Sequence, residues 1–331
     1  MALITKYGSF WGLIPNTTGR YFWVSPSATY TVEGVSFSAS DDNDGLSPER
    51  AFRTINAAIS AASASVGDVI VLLPGAHSVS TTITLNKAGL TITGIPGGRV
   101  GEPVGRRASG GKRMKTSITS TATAGIIITV SAADCEIAYI HFLPPAAGGR
   151  GISLAPLSGA ANRTYIHDCT FGLVGTASVT TYGVTVPAGV TADLLEDTLI
   201  SNCYFVSGAE GASGANGSAI NTLGTTSSFT IELCTFELKG TAAWATAILA
   251  SQAGGKGLVI RDCDFINPTS ATTVITTAIN TTGQTIDGST QVHRCYFPTG
   301  TDGVTASAMV DIVLTETYLA NSSGGALVTN A

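Results

Sequence analysis

The acidic residues of this chain raise two chemistries, cation binding and acid–base hydrolysis. Within "SASDDNDGLSPERAFRTI", residues 38–55, carboxylates, an amide and a glycine crowd together. A helix-loop-helix calcium loop takes oxygen ligands at positions 1, 3 and 5, a glycine at 6 and a bidentate glutamate at 12. With Gly45 at position 6, the ligand positions fall on Ser40, Asp42 and Asp44, but position 12 is Ala51. The closing ligand is missing, and no metal is expected there. Hydrolysis of a glycosidic bond wants two carboxylates about 5 to 9.5 Å apart. Glu232, Asp262 and Asp264 are the candidates for such a pair, with Asp168, Glu316, His167, Arg261, His293 and Arg294 in similar settings. Lyase chemistry would ask for calcium-binding carboxylates and a base, for which Arg261 alone offers little. No G-x-S-x-G stretch lies between a strand and a helix, no phosphate loop occurs, and no cofactor is expected.

What positions these side chains is an internal repeat. The pattern aliphatic-x-x-Cys-x-Phe occurs at Ile166/Cys169/Phe171, Ile200/Cys203/Phe205, Ile231/Cys234/Phe236, Ile260/Cys263/Phe265 and Val292/Cys295/Phe297. A copy without cysteine stands at Ile137/Ile140/Phe142, and a degenerate one at Leu314/Thr317/Leu319. The starting positions are 29, 34, 31, 29, 32 and 22 residues apart, too irregular for a helical array but suited to a solenoid whose coils differ in loop length. Residues two apart in a strand share a face, so Cys and Phe point together, and Ile joins them only if the chain bends in between. Asp168, Asn202 and Asp262 precede the cysteine in three copies and tolerate the left-handed conformation of such a bend. Each copy therefore predicts strand, bend, strand, and stacking the copies predicts ladders of Ile, Cys and Phe inside a parallel β-helix. With one cysteine per copy, no C-x-x-C pair and no histidine at zinc spacing, the cysteines are expected to be buried free thiols.

The fold class expected is all-β: a right-handed parallel β-helix solenoid with a short N-terminal capping helix and an aromatic-rich N-terminal arm. The arm is assigned to residues 1–38, the solenoid to 39–325 and a tail to 326–331. The helix is expected at about 54–63, with Thr54 as N-cap and Ile55, Ala58, Ile59 and Ala62 on one face. An exposed terminal coil invites edge-to-edge association, and this helix is the natural cover. The arm holds Tyr7, Phe10, Trp11, Tyr21, Phe22, Trp23 and Tyr30. Aromatics concentrate at interface centres, so Phe10, Trp11, Tyr21, Phe22 and Trp23 are candidates for partner binding, with an arm folded back over the first coil as the alternative. A Gly-rich loop over residues 97–115 carries Arg106, Arg107, Lys112 and Arg113, read either as a solvated loop or as a docking patch for an acidic surface. The net charge of −5 argues against non-specific nucleic-acid binding. No run approaches the roughly 18 apolar residues of a membrane span, and a soluble protein made in a cytoplasm is expected.

The order "DDNDGLSPERAFRTINAAISAA", "GDVIVLLPGAHSV", "AGLTITGIPGG" and then repeated I-x-[DN]-C-x-F segments resembles the right-handed parallel β-helix (pectate-lyase-like) superfamily over about residues 40 to 320. The segment from Tyr7 to Phe52 is similar to the N-termini of β-helix proteins of tailed bacteriophages, which sit on the virion surface, often as trimers. That resemblance implies a structural homotrimer bound to the major capsid protein or to tail components, assembled in the host cytoplasm; no outward column of the repeat is consistently acidic, so a non-enzymatic protein is expected. The arm and solenoid account for the whole chain, which favours a head decoration or cement protein over a tailspike. A tailspike that binds or hydrolyses a host surface polysaccharide is the alternative it implies.

Overall fold

The computed structural model describes residues 18–95, 114–121, 125–145, 148–155, 163–173, 181–191, 195–207, 217–238, 246–250, 257–267, 275, 277–281, 290–298, 302–305, 312–315, 317–319 and 326–328. Its strands form three long parallel walls of a right-handed β-helix. The first wall stacks ten strands, from Tyr21–Val24 through Glu136–Ala138, Tyr165–His167, Leu199–Ser201, Thr230–Glu232 and Val259–Arg261 to Ile312–Thr315. The second runs from Gly75–Val79 to Thr317–Leu319 and ends on an antiparallel strand, Ala326–Val328. The third has eight strands, from Ile83–Leu85 to Asp302–Thr305. A coil visits the three walls in that order.

The repeat sets the register. Ile137, Ile166, Ile200, Ile231, Ile260, Val292 and Leu314 pair in sequence along the first wall. On the second wall, Phe142, Phe171, Phe205, Phe236, Phe265 and Phe297 form a ladder with ring centroids 5.0, 4.6, 5.0, 4.8 and 5.2 Å apart. Between the two walls the chain turns through a two-residue bend such as Asp168-Cys169. The residue before the cysteine slot has positive φ in the six coils from Ile137 to Val292: Tyr139 57°, Asp168 52°, Asn202 51°, Leu233 54°, Asp262 53° and Arg294 46°. Asp and Asn suit this conformation, whereas Leu233 adopts it against its preference and is 40% exposed there. Leu233→Asn is therefore expected to relieve strain at little cost in burial, stabilising the fold by about 1 kcal/mol. A thermal midpoint unchanged or lowered in a melting scan would refute that assignment of strain.

The capping helix spans Ile55–Ala61 and buries Ile55, Ala58 and Ile59 over the first coil. Thr54 Oγ1 accepts from Ala57 N, and Lys87 Nζ donates to the carbonyls of Ile59, Ser60 and Ala62 at the far end. The acidic stretch before the helix is tied up internally. Asp41 Oδ1 accepts from the amides of Arg53 and Thr54, Asp44 pairs with Arg50, and Gly45 has φ 66° with the Phe52 ring where a Cβ would stand. That stretch also covers the edge of the first wall, through Trp23 N to Gly45 O and Phe52 N to Trp23 O, both 2.8 Å. It is a turn and an edge cover built around its own carboxylates.

Two boundaries differ from the sequence expectation. Tyr21–Val24 is the first strand of the first wall, in register with Val69–Leu72, so the solenoid begins at 21 and not at 39. Phe22 and Trp23 are 2% and 3% exposed, buried against Ile70 and Val71 respectively in the clusters of the first coil, and are not an interface surface. The chain reaches these positions because Asp68, fully buried, accepts from the amides of Arg20 and Ser63 at 2.7 Å each. At the other end, Ala326–Val328 joins the second wall, so the expected tail at 326–331 is in part a strand.

Candidate functional site

Residues flanking the inward Ile of each first-wall strand point outward, and together with the bend residues they form a polar ridge along the corner of the first and second walls. Glu232 and Arg261 are backbone partners on neighbouring coils of this wall. The Arg261 guanidinium donates to Glu232 Oε2 at 2.8 Å, and Ser201 Oγ donates to Oε1 at 3.1 Å. Asp262, in the bend, receives both oxygens' worth of hydrogen bonds from Arg294 at 2.8 and 2.7 Å. Arg163 grips Asp134 in the same way one corner earlier. Sequence reasoning brought Glu232 and Asp262 to adjacent coils. The structure keeps them there but gives each its own arginine from the next coil. Asp264 lies beyond the bend, on the second wall between Thr235 and Tyr296. The three candidates are thus divided among the first wall, the bend and the second wall.

The densest cluster on the ridge centres on His167, 12% exposed at its side chain. Its Nδ1 lies 2.7 Å from Asp168 Oδ2 and its Nε2 lies 2.8 Å from Glu136 Oε1. Both partners are acceptors, so both ring nitrogens carry protons and the ring is an imidazolium. Burial pulls its pKa down, but the bonds to Asp168 and Glu136 outweigh that and hold it up at about 9. The His167 bond in turn holds Glu136 below its ordinary value. Thr91 Oγ1 donates to Glu136, Asn202 Nδ2 donates to Asp168, Tyr165 stacks on the imidazole at 4.1 Å and Tyr139 meets it edge-on at 5.8 Å. Burial raises the Tyr139 hydroxyl to about 12. A ring held cationic is a poor general base at neutral pH. The cluster clamps four successive coils, from Thr91 to Asn202.

Glu136, Tyr139 and Tyr165 were not singled out in the sequence. The signal that locates Glu136 and Tyr165 is simple: they stand one residue before the repeat Ile, in the outward register of His167. Among the other expected site residues, Tyr21 is half-buried in the first strand, and Phe10, Trp11, Arg106, Arg107, Lys112 and Arg113 lie outside the described residues. No group of three or more metal-ligating side chains is gathered among the described residues, and no helix there is long and apolar enough to cross a membrane.

No family profile matches the chain, and no curated protein does. Solved structures do. A pectin methylesterase from Aspergillus niger in deglycosylated form is 14% identical, with 93% of this chain and 87% of that one covered at a TM-score of 0.54. A pectin methylesterase in complex with a hexasaccharide is 15% identical over 93% and 91% of the two chains, TM-score 0.54. Pectin methylesterase PemA from Erwinia chrysanthemi is 14% identical over the same shares, TM-score 0.50. At this identity the likeness is one of fold, the right-handed parallel β-helix of pectin-processing enzymes.

Proposed function

We propose that this chain is a non-enzymatic structural protein of a bacteriophage virion, a homotrimeric decoration or cement protein on the head surface that binds the major capsid protein. What supports the non-enzymatic part is the pairing of Glu232 with Arg261 and Asp262 with Arg294, which spends the best acid candidates on holding coils together. A general acid must present its proton to the substrate, and here the carboxylate oxygens accept hydrogen bonds from a guanidinium of the next coil. The virion assignment rests on the resemblance of the N-terminal segment to phage β-helix proteins.

A second reading is favoured by one observation. Tyr165, 36% exposed, offers an aromatic face over His167 beside the hydrogen-bonding ridge of Ser201 and Glu232, a surface on which a host glycan would lie. In that case the protein is a tailspike. Quantitative mass spectrometry of purified virions separates the two, with hundreds of copies per particle expected for a head protein and a few tens or fewer for a tailspike. Glycan-cleavage assays test the chemistry. No turnover is expected, and a wild-type turnover lost in Glu232→Gln or Asp262→Asn would refute the non-enzymatic reading.

A further inference from the structure

The N-terminal end of the solenoid is closed unevenly. The first wall gains an extra strand there, Tyr21–Val24, whose outer edge is taken up by the carbonyl of Gly45 and the amide of Phe52. After Val24 the chain leaves the coil path for the antiparallel pair Thr29–Val32 and Val35–Ser38, so the second and third walls begin one coil later, on Gly75–Val79 and Ile83–Leu85. Each of these has one strand partner among the described residues, Thr116–Ser120 and Ile126–Val130. The bonds Gly75 N to Lys115 O, Thr121 N to Val79 O and Ser131 N to Leu85 O fix which residues face those partners. Alternate residues carry the bonds to one neighbour, so the N–H and C=O groups of Ala76, Ser78 and Thr84 point to the open edge. Ala76, Ser78, Ser80 and Thr82 are exposed. The capping helix covers the core but leaves a slot on each side of Asn56. One, of about 310 Å3, lies between Arg53 and Asn56 on the cap and Ser78, Ser80 and Thr81 on the strand side. The other, of about 500 Å3, lies between Asn56 and Ser60 on the cap and Thr82, Thr84 and Lys87 opposite. Both slots carry one sign of charge. Arg53 lines the first and Lys87 the second, burial keeps His77 neutral with a pKa of about 4, and no carboxylate lines either. Asp41, in the same turn, is bound to the amides of Arg53 and Thr54 and to the Thr54 hydroxyl.

We propose that the open edge of Gly75–Val79 is a docking site for an extended acidic segment of a partner protein, which adds to the second wall as a further strand. Ala76 and Ser78 each offer it an amide donor and a carbonyl acceptor, the main-chain half of β-augmentation. Paired strands lie about 4.8 Å apart, so the added segment occupies the slot between the edge and the cap. Its side chains alternate. One set turns toward Val79 and Ile83 in the slot and suits small apolar groups, and the other faces solvent beside Arg53. The exposed Arg53 guanidinium gives one N–H to the carbonyl of Pro26 at 3.2 Å and has further donors for a carboxylate. Lys87 continues the same charge along the second slot.

The test titrates the folded full-length chain with an end-blocked heptapeptide, Ser-Val-Asp-Val-Asp-Val-Ser, following heat and amide hydrogen exchange. Saturable binding that weakens with salt and slows exchange at Ala76 and Ser78 is expected. Ser78→Pro removes an edge donor that the fold does not use. It should leave the thermal midpoint near that of the wild type and weaken binding about tenfold or more, whereas Ser78→Ala keeps the amide and should bind like the wild type. The same peptide with Lys in place of Asp should not bind. If Ser78→Pro does not fold, the peptide supplies the control: N-methylation of one alternate set of its amides should abolish binding, and of the other set should leave it. No binding at millimolar peptide, equal losses in Ser78→Pro and Ser78→Ala, or equal effects of the two methylated sets would overturn the proposal. So would oligomers of the chain that Ser78→Pro dissociates, since the edge would then take a second copy. None of these outcomes depends on whether the protein belongs to a virion.

Discussion

Phe205→Ala is expected to lower the unfolding free energy by about 3 to 5 kcal/mol. Phe205 is fully buried, with Phe171 4.6 Å away on one side and Phe236 5.0 Å away on the other, both rings within 5° of parallel. Truncation removes two stacking contacts, each worth about 0.5 to 1.5 kcal/mol, together with the transfer energy of the ring. The cavity term comes on top, because the site cannot collapse. Phe171 and Phe236 are fixed by backbone pairing on both sides, and Gly183 presents no side chain that would fill the space. Phe297, near the end of the described ladder and tilted by 32° to Phe265 at 5.2 Å, is the internal comparison. Its truncation should cost less, since one flank of the ring lacks a phenylalanine. Solenoids respond locally to such changes, so the loss should appear first in the protection of amides in the coils around Phe205. Denaturant unfolding with hydrogen exchange checks both statements, and equal costs for the two substitutions would contradict the ladder as a unit of stability.

The ladder was legible in the sequence because its signal repeats. One inward position per strand, occupied by Ile, Cys or Phe copy after copy, is a redundant pattern that survives irregular loop lengths. The bend was legible at Asp168, Asn202 and Asp262, whose side chains suit positive φ, but the same backbone at Tyr139, Leu233 and Arg294 follows from the stacking of neighbours and leaves no local trace. The start of the solenoid was misplaced for a related reason. Tyr21–Val24 belongs to the first wall only through pairing with residues 48 positions away, and a cluster of Tyr, Phe and Trp reads equally well as a surface anchor. Carboxylate positions were legible, but their partners were not. Glu232 to Arg261 and Asp262 to Arg294 are separated by 29 and 32 residues, the length of a coil, and only the register turns an acid candidate into half of an ion pair.

The same logic predicts how stability depends on pH. The His167 pKa is raised from 6.5 to about 9, so its contribution is fully present below the unfolded value near 6.5 and is lost as pH rises through about 9. A shift of that size corresponds to about 3 kcal/mol. Glu136 works in the opposite direction: its pKa is lowered in the fold, so its contribution is present above its unfolded value of about 4.5 and fades as pH falls through the folded one. The clamp is therefore at full strength between about pH 4.5 and 6.5, with the larger loss on the alkaline side. His167→Gln removes the cation while keeping a side chain that hydrogen-bonds. It should lower stability at pH 6 by about 3 kcal/mol and flatten the decline between pH 6.5 and 9.5. Burial pushes the Cys135 thiol to about 11, above this window. Denaturant midpoints of the two proteins at half-unit pH steps supply the measurement. A wild-type midpoint that stays level from pH 6.5 to 9.5 would mean that His167 is neutral, and that Glu136 and Asp168 are held by something other than its charge.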